Sequence, residues 1–359
     1  RVDIGELSAG WQKFGPALLL HDVRLYNGTE QLQLSIDETR VRLDFWRSIL
    51  NRQLTAQHFE LSGLNYYVDA ASLLAGDSTA KLDTAPVLDA LERLFFRQLA
   101  YFSVVDSQLV LQNDDDPDLI VNIKQLDWAN SGNRHQGFGE LSLADVTANT
   151  VSFVLDLYGD TLAEAFGQLY LQSDKLDVLP WFRTQLPASQ KLQHASINFK
   201  AWGRIDNGLL RRIQLELADN RLSWRQDDTA QSLQLGSGQL LWQPEADGWS
   251  LSSGALTLSD QQQQWQDLTF SLQRRGGQWL GAVQNFPLGA MTPLADLFAE
   301  DISQLQQLVA HQPEGDIRQL QWRVADDSWQ VQGNFTNVSS LPRGDIPGVS
   351  NLDGDFLLS

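Results

Sequence analysis

Residues 31–45 alternate between apolar and polar side chains, and this period constrains the fold more than any other feature of the chain. The apolar positions are Leu32, Leu34, Ile36, Val41, Leu43 and Phe45. Because successive side chains of a β-strand point to opposite faces of a sheet, the pattern predicts a strand with one apolar face. The apolar positions change from even to odd after Ile36, which predicts a bulge or bend near Glu38 that keeps the same face apolar.

The same alternation recurs along most of the chain and predicts a mainly β protein. Turn sequences such as residues 26–28, 206–208 and 274–277 separate the alternating segments. Short connections favour antiparallel pairing, so we predict about twenty strands in one long, curved antiparallel sheet with the form of a groove. At roughly 4.8 Å per strand such a sheet would extend about 95 Å, which is far longer than a compact domain of this mass.

Other segments have the spacing of amphipathic helices. The first occupies residues 84–100, with a start signal that ends at Pro86, and the second occupies residues 292–310. A third, shorter helix is expected from Asp177 toward Leu186. We expect the two long helices to cap or gate the apolar face of the sheet. The residues expected to do so are Leu88, Leu91, Phe95, Leu99, Leu297, Phe298 and Leu305.

We expect residues 1–359 to form one continuous, elongated groove fragment. Its parts are opening strands in residues 1–80, a central groove in residues 101–290 and further groove strands in residues 315–359. The chain starts at an arginine with no signal peptide, and its last residues have the pattern of a strand. We therefore expect this chain to be a piece of a longer protein.

Composition excludes several classes of function. Acidic residues outnumber basic ones by 45 to 26, and the formal net charge of −19 opposes binding to nucleic acid. Without cysteine, the chain has no disulfide, catalytic thiol or thiolate metal site. The histidines are scattered along the sequence, and the acidic run 114–118 lacks the glycine and the distal glutamate of an EF-hand loop. We therefore predict a protein that is not an enzyme and needs no metal or cofactor.

Two sets of residues leave a carbohydrate-related function open. A carboxylate pair for glycoside hydrolysis need only be close in space, and the 45 acidic residues supply many candidates. The 12 tryptophans are able to stack on sugar rings, although several lie in alternating strands, where packing within the sheet is the ordinary role. An enzyme or lectin acting on glycans therefore stays as a third alternative.

Apolar surface is the remaining feature with functional meaning, and we expect one face of the sheet to line a groove for an apolar ligand. The predicted lining residues are Leu32, Leu34, Ile36, Val41, Leu43, Phe45, Ile197, Phe199, Ile213, Leu215, Leu217, Leu268, Phe270 and Leu272. The alternative interpretation is an ordinary closed core. Alternation alone does not distinguish a face covered by side chains from a face covered by lipid.

Several segments also carry a family resemblance. They are residues 4–11 with 16–25, residues 41–50 with 59–63, residues 167–171 with 179–181 and 201–203, and residues 341–354. Taken in this order over most of the chain, they resemble the AsmA-like family of bacterial envelope proteins and, within it, the YhdP branch. The last of them is similar to a Pro-Gly segment that is typical of that branch.

The resemblance implies a function in the envelope of Gram-negative bacteria. Proteins of this branch are expected to have an inner-membrane anchor, here upstream of Arg1, and a long periplasmic body that moves phospholipid toward the outer membrane. They resemble the repeating β-groove lipid bridges of eukaryotes, and outer-membrane or envelope proteins are expected partners. The anchor and the distal portion of the family pattern are absent from this sequence. The second alternative is a non-catalytic structural or interaction scaffold for envelope assembly, with an interior filled by its own side chains.

Overall fold

The structure is a computed structural model of the chain. It describes residues 1–12, 15–26, 30, 32–43, 56–69, 96–97, 99–112, 118–143, 150–179, 192–226, 229–261, 263–290, 310–325, 328–343 and 347–359.

These residues form 21 strands and two short 3-10 turns, Leu162–Glu164 and Leu288–Ala290. The strands are β1 (Val2–Gln12), β2 (Gly15–Tyr26), β3 (Leu32–Leu43), β4 (Ala56–Asp69), β5 (Tyr101–Gln112), β6 (Leu119–Ser131), β7 (Arg134–Leu143), β8 (Val151–Tyr158), β9 (Phe166–Asp177), β10 (Leu192–Asp206), β11 (Leu209–Leu217), β12 (Asn220–Gln226), β13 (Thr229–Leu235), β14 (Gly238–Glu245), β15 (Gly248–Ser253), β16 (Leu256–Ser259), β17 (Gln264–Arg275), β18 (Gln278–Pro287), β19 (Glu314–Ala325), β20 (Ser328–Ser340) and β21 (Val349–Leu358). The prediction of a mainly β protein is confirmed.

The chain divides into two compact units. Unit 1 comprises Arg1–Gln172 with Arg204–Leu210, and unit 2 comprises Ser173–Gly203 with Arg211–Ser359. In unit 1, strands β1 to β8 and the first part of β9 pair in chain order. In unit 2 the strands pair antiparallel: β12 with β13, β14 with β15, and β17 to β21 in chain order, whereas β11 pairs with β14, β13 with β16 and β15 with β17.

The prediction of a purely antiparallel sheet is wrong at one pairing in unit 1. β4 and β5 are parallel, with Phe59 beside Phe102 and Leu61 beside Val104. Parallel neighbours need a crossover connection of a dozen or more residues, and the segment between Asp69 and Tyr101 is long enough to provide one. Short turns do not predict this pair, because a long segment between two strands allows either direction.

A line of six aligned residues crosses β1 to β6 of unit 1, and three of these residues have an unusual backbone conformation. The registers place Gly5, Asp22, Asp37, Gly63, Asp106 and Lys124 opposite one another in β1 to β6. Asp22, Gly63 and Asp106 have positive φ angles of 52°, 65° and 46°. Asp and Gly adopt this left-handed conformation more readily than bulky residues do. We call this line the unit 1 seam. The residues whose side chains face inward change between even and odd numbers where a strand crosses the seam, in β2 from Leu20 to Val23.

Unit 2 contains a corresponding line, the unit 2 seam. It consists of residues with positive φ angles between 50° and 62° on four strands and one strand break: Asp219, Asp267, Asn285, Asn337 and Asn351. Side-chain hydrogen bonds cross between strands at the same level, from Asn285 Nδ2 to the Asp267 carbonyl at 3.2 Å and from the Asn337 N–H to Asp353 Oδ1 at 2.7 Å.

Three long strands of unit 2 are interrupted near this seam. Two-residue breaks separate β11 from β12, β13 from β14 and β15 from β16. The pairs nevertheless continue each other, because β11 and β12 lie beside β14 and β13, respectively. In β17 the inward-facing positions change parity between Trp265 and Leu268, across Asp267, so the same face stays apolar on both sides of the seam.

Unit 1 has a closed hydrophobic core on the apolar side of its sheet. The buried members are Leu25, Leu34, Ile36, Leu61, Leu99, Phe102, Val104, Trp128 and Leu157. They come from β2 to β6, β8 and the segment that precedes β5, and Phe96 from the same segment packs against them. This part of the apolar side is therefore covered by protein side chains.

The predicted helices lie almost entirely outside the described residues. Of residues 84–100 the structure describes only Phe96, Arg97, Leu99 and Ala100, and of residues 292–310 only Ala310. The shorter segment predicted from Asp177 toward Leu186 is described only as far as Leu179, and β9 occupies its first residue. No helix of the described residues is long and apolar enough to cross a membrane.

Candidate functional site: an apolar sheet face

The strand registers of unit 2 place apolar residues on one side of eight paired strands. Directly opposed residues of antiparallel strands point to the same face, so the face is traced by following partners from strand to strand. One such row runs without a break from β11 to β21 through Ile213, Trp242, Leu251, Leu272, Gly281, Trp322, Val331 and Leu358. With the exception of Gly281, every position in this row carries a large apolar side chain.

Neighbouring rows of the same strands widen this surface, which we call the unit 2 face. It comprises Ile213, Leu215, Leu217, Leu240, Trp242, Trp249, Leu251, Phe270, Leu272, Trp279, Val283, Leu320, Trp322, Val324, Trp329, Val331, Phe335, Phe356 and Leu358. Most of these side chains are half-buried. Trp279, Val324, Trp329 and Leu358 are 37%, 41%, 52% and 53% exposed. The face therefore leaves a large apolar surface in contact with solvent, which monomeric proteins rarely do without a function.

The opposite side of the same strands is mostly polar. Its residues include Gln214, Glu216, Gln239, Gln243, Ser250, Ser252, Ser271, Gln273, Gln284, Gln319, Gln321, Arg323, Gln330, Gln332, Asn334 and Asp355. An open depression of about 310 Å³ lies there, lined mainly by Ser271, Gln273, Gln321, Arg323, Gln330 and Gln332. The candidate site is thus an extended face and not this small polar hollow.

A tryptophan covers the gap that Gly281 would otherwise leave in the central row. Gly281 on β18 is the direct partner of Trp322 on β19, and a Cβ atom added to Gly281 would overlap the indole ring. Unit 1 has the same arrangement between β6 and β7. There Trp128 and Gly137 are partners, and an added Cβ would lie 2.8 Å from Trp128 Cε3. In both units an indole occupies the space that a Cβ atom of the glycine would need and keeps the apolar surface continuous.

The edge of the unit 2 face near the hairpin turns is rich in aromatic residues. A row of partners runs through Trp249, Arg274, Trp279, Val324 and Trp329, and we call it the rim row. The indoles of Trp249 and Trp279 meet edge to face, with ring centroids 5.6 Å apart. The Arg274 guanidinium carbon lies 5.7 Å from the Trp279 ring centroid, within the range of a cation–π interaction.

The predicted lining residues differ in how far the protein buries their side chains. Ile213, Leu215, Leu217, Phe270 and Leu272 share the unit 2 face and are half-buried. Leu34, Ile36 and Val41 in unit 1 and Leu268 in unit 2 are buried by protein, with at most 9% exposed. Leu32 is 36% exposed, and Ile197 and Phe199 are half-buried in β10. The Leu43 side chain and Phe45 lie outside the described residues.

Among the predicted cap residues the structure describes one. Leu99 is 6% exposed and belongs to the core of unit 1. Its neighbour Phe96 lies against His135 and Trp128, with ring centroids 4.5 and 5.9 Å apart. Leu88, Leu91, Phe95, Leu297, Phe298 and Leu305 lie outside the described residues.

The residues that sequence reasoning missed are mostly tryptophans and members of the last three strands. They are Leu240, Trp242, Trp249, Leu251, Trp279, Val283, Leu320, Trp322, Val324, Trp329, Val331, Phe335, Phe356 and Leu358. The alternation of residues 320–324 and 329–335 carries the same signal as that of the predicted set. This strand pattern alone does not assign the residues to the lining, because the sequence does not show which strands become partners.

The polar groups of unit 1 form structural hydrogen bonds. Tyr101 donates to Asp127 Oδ1 at 2.6 Å, and this hydrogen bond raises the pKa of Tyr101 to about 12. Burial lowers the pKa of His58, whose Nε2 lies 3.1 Å from Ser103 Oγ. His135 is 1% exposed, with Nδ1 2.7 Å from Asn130 Oδ1 and Nε2 2.8 Å from the Gly159 carbonyl. No group of three or more metal-ligating side chains occurs within the part of the chain that the structure describes.

Paired strands with one polar and one half-exposed apolar side define a class of β-sheet protein that leaves an extended apolar surface open to solvent. Residues 1–359 match the YhdP protein family over their full length, so the chain belongs to that family. It is 25% identical over 378 aligned positions to the intermembrane phospholipid transporter YhdP of Escherichia coli strain K12. The match covers 98% of this chain and 29% of that protein, so the chain spans less than a third of the length of this relative. No solved structure matches the chain.

Proposed function

We propose that residues 1–359 form part of a hydrophobic groove that shields acyl chains and conducts phospholipid from the inner toward the outer membrane across the periplasm. The observation that carries this proposal is the unit 2 face, which is apolar over eight strands and half exposed to solvent. The name of the Escherichia coli relative, an intermembrane phospholipid transporter, agrees with it.

The energetic reason for such a face is the cost of wetting a lipid. Exposing each acyl CH₂ group to water costs about 0.8 kcal/mol, so two chains of sixteen or so carbons cost roughly 25 kcal/mol when fully wetted. A row of side chains such as Trp242, Leu251 and Leu272 removes part of this cost at every strand. Because the surface is continuous, a lipid can move along it without leaving apolar surroundings, and no covalent chemistry is required.

The location follows from the same proposal. We place the chain in the periplasm, attached to the inner membrane by an anchor outside residues 1–359, with phospholipid as its ligand and envelope or outer-membrane proteins as further partners. The predicted helices at 84–100 and 292–310 would then cap or gate the groove. The packing of Leu99 and Phe96 on the core of unit 1 supports a cap at that position.

Unit 1 gives specific support to the second candidate, a non-catalytic scaffold. Its buried cluster around Ile36, Phe102 and Trp128 is closed by the protein's own side chains. A scaffold needs such a closed core and does not need an open apolar face. A transporter needs an open apolar unit 2 face and a scaffold does not. Substitutions on that face therefore distinguish the two candidate functions best.

The test is a pair of aspartate substitutions on that face. In the full-length protein, Leu215→Asp with Leu217→Asp places two charges on half-buried positions of β11, so the fold should survive while lipid transfer between donor and acceptor vesicles is lost. Gln214→Asp with Gln243→Asp adds the same number of charges to the polar side of β11 and β14 and should leave transfer intact. A folded Leu215/Leu217 variant that transfers lipid at the normal rate would favour the scaffold.

A further inference from the structure

Arg274 is a cation on the apolar side of its strand. On β17 it follows Phe270 and Leu272 at two-residue intervals, so all three side chains point to the unit 2 face. Its partners in the adjacent strands are Trp249 and Trp279, and it lies over the ring of the latter. The Arg274 side chain is exposed, so its guanidinium is open to a ligand from solvent while it lies against the Trp279 indole.

The next residue in the chain provides the contrast. Arg275 points to the polar side of the same hairpin and donates to Glu245 Oε2 at 2.7 Å. Arg274 has no carboxylate partner among the described residues. None of the residues that the registers place on the unit 2 face is acidic, although the chain as a whole carries a formal charge of −19. Within the described part of the chain, the rim row therefore carries a cation with no acidic side chain on the same face.

We propose that the rim row is a headgroup site, in which Arg274 binds the phosphate of a phospholipid whose acyl chains lie on the unit 2 face. This inference rests on the proposed function, since it requires lipid on that face. Leu272 and Phe270 lie about 7 and 13 Å inward from Arg274 along the strand, so a phosphate at the guanidinium has apolar surface directly beside it. Arg binds phosphate through two parallel N–H donors, and the indoles of Trp249 and Trp279 suit the boundary between headgroup and acyl chain.

The position of Arg274 near the end of its strand agrees with this assignment. Arg274 precedes the turn at Gly276 and Gly277, so it lies where the strand ends and solvent begins. Trp329, at the far end of the rim row, is 52% exposed. A headgroup held here stays hydrated while the chains are shielded, which keeps its polar atoms out of apolar surroundings.

The test compares two fluorescent lipids with identical acyl chains, a phosphatidylglycerol and the diacylglycerol that lacks the phosphate. The full-length protein should bind the phospholipid about tenfold more tightly, as expected for one charge-assisted interaction. Arg274→Gln should lower phospholipid binding to the diacylglycerol level without changing diacylglycerol binding. Arg274→Lys, which keeps the charge, should restore much of the preference, and Arg275→Gln should behave like the unaltered protein.

The outcomes separate this inference from the proposed function. Equal binding of both lipids by the unaltered protein, or a preference that survives Arg274→Gln, would overturn the headgroup site while leaving the apolar groove in place. An equal loss in the Arg274 and Arg275 variants would show a general effect of charge and would also overturn it. Failure of the unaltered protein to bind either lipid would overturn both.

Discussion

Trp322 lies directly over Gly281 on the neighbouring strand, and the two residues are partners in the central row of the unit 2 face. The glycine is needed because a Cβ atom at this position would overlap the indole. Because the indole occupies the space of the missing side chain, one residue covers two strand positions. The pair therefore determines both the packing of β18 on β19 and the continuity of the apolar surface.

We expect Gly281→Ala to destabilise unit 2 by about 1–3 kcal/mol, because the added methyl group forces Trp322 out of its place. The midpoint of urea unfolding of the full-length protein, followed by tryptophan fluorescence, measures this loss. Gly254→Ala is the matched control, since its added Cβ would lie 3.8 Å from Gln239 Cβ, an ordinary contact. Equal midpoints for the two variants would show that the indole is free to move and that the pairing is incidental.

The closed core of unit 1 and the open face of unit 2 should respond differently to truncation. Ile36 is 8% exposed, whereas Leu272 is half-buried on the unit 2 face. We expect Ile36→Ala to cost about 3 kcal/mol of unfolding free energy through the cavity that it leaves, and Leu272→Ala to cost about 1 kcal/mol.

The two substitutions should affect lipid binding in the opposite order. Leu272→Ala should weaken phospholipid binding because it removes apolar contact area, and Ile36→Ala should leave it unchanged at temperatures where the variant is folded. Native mass spectrometry of co-purified lipid, together with denaturant unfolding, gives both quantities for each variant. If Ile36→Ala reduces the bound lipid more than Leu272→Ala does, the groove runs through unit 1 instead.

Much of the fold could be predicted from the sequence, because alternation is a local property. Leu34, Ile36 and Val41 are all buried, as the predicted change of parity after Ile36 requires, and the positive φ angles at this level belong to Asp22 and Gly63 on the strands beside β3. The set Ile213, Leu215 and Leu217 shares one face, as its spacing required. These results depend only on the two-residue period of a strand.

Properties that depend on partners could not be predicted. The parallel pairing of β4 with β5 and the burial of Ile36 in one cluster with Leu99 and Phe102 both join residues that are distant in the sequence. The same applies to the seams. A single Asp or Asn in a strand does not by itself predict a seam. The seam is recognised only when the strand registers align this residue with similar residues in adjacent strands.

The unit 2 seam can be tested at Asn285, where φ is 54° and the side chain donates to the Asp267 carbonyl. Asn285→Val should destabilise the protein by about 1–3 kcal/mol, because a β-branched residue is poorly tolerated at positive φ. Asn285→Gly should be close to neutral, since glycine adopts this conformation freely although the side-chain hydrogen bond is lost. The measurement is the free energy of unfolding in urea.

Gln284→Val supplies the control for the seam, because Gln284 occupies an ordinary strand position where valine is favoured. It should leave stability within about 0.5 kcal/mol of the unaltered protein. A loss as large as that of Asn285→Val would assign the effect to the loss of a polar side chain and not to the backbone conformation.

His58 should make the stability of unit 1 depend on pH. Burial lowers the pKa of this histidine, with a further lowering by Arg42 that Glu60 and Asp127 oppose. A lowered pKa means that the folded state binds the proton less readily than the unfolded state, whose histidine titrates near 6.5. The resulting stabilisation is present above about pH 6.5 and is lost as the pH falls through the folded-state pKa.

Urea unfolding at a series of pH values between about 8 and 5 should show this decline in stability. His58→Gln should flatten the decline, whereas the control His311→Gln in unit 2 should not. A decline that persists unchanged in the His58 variant would assign the pH dependence to other groups.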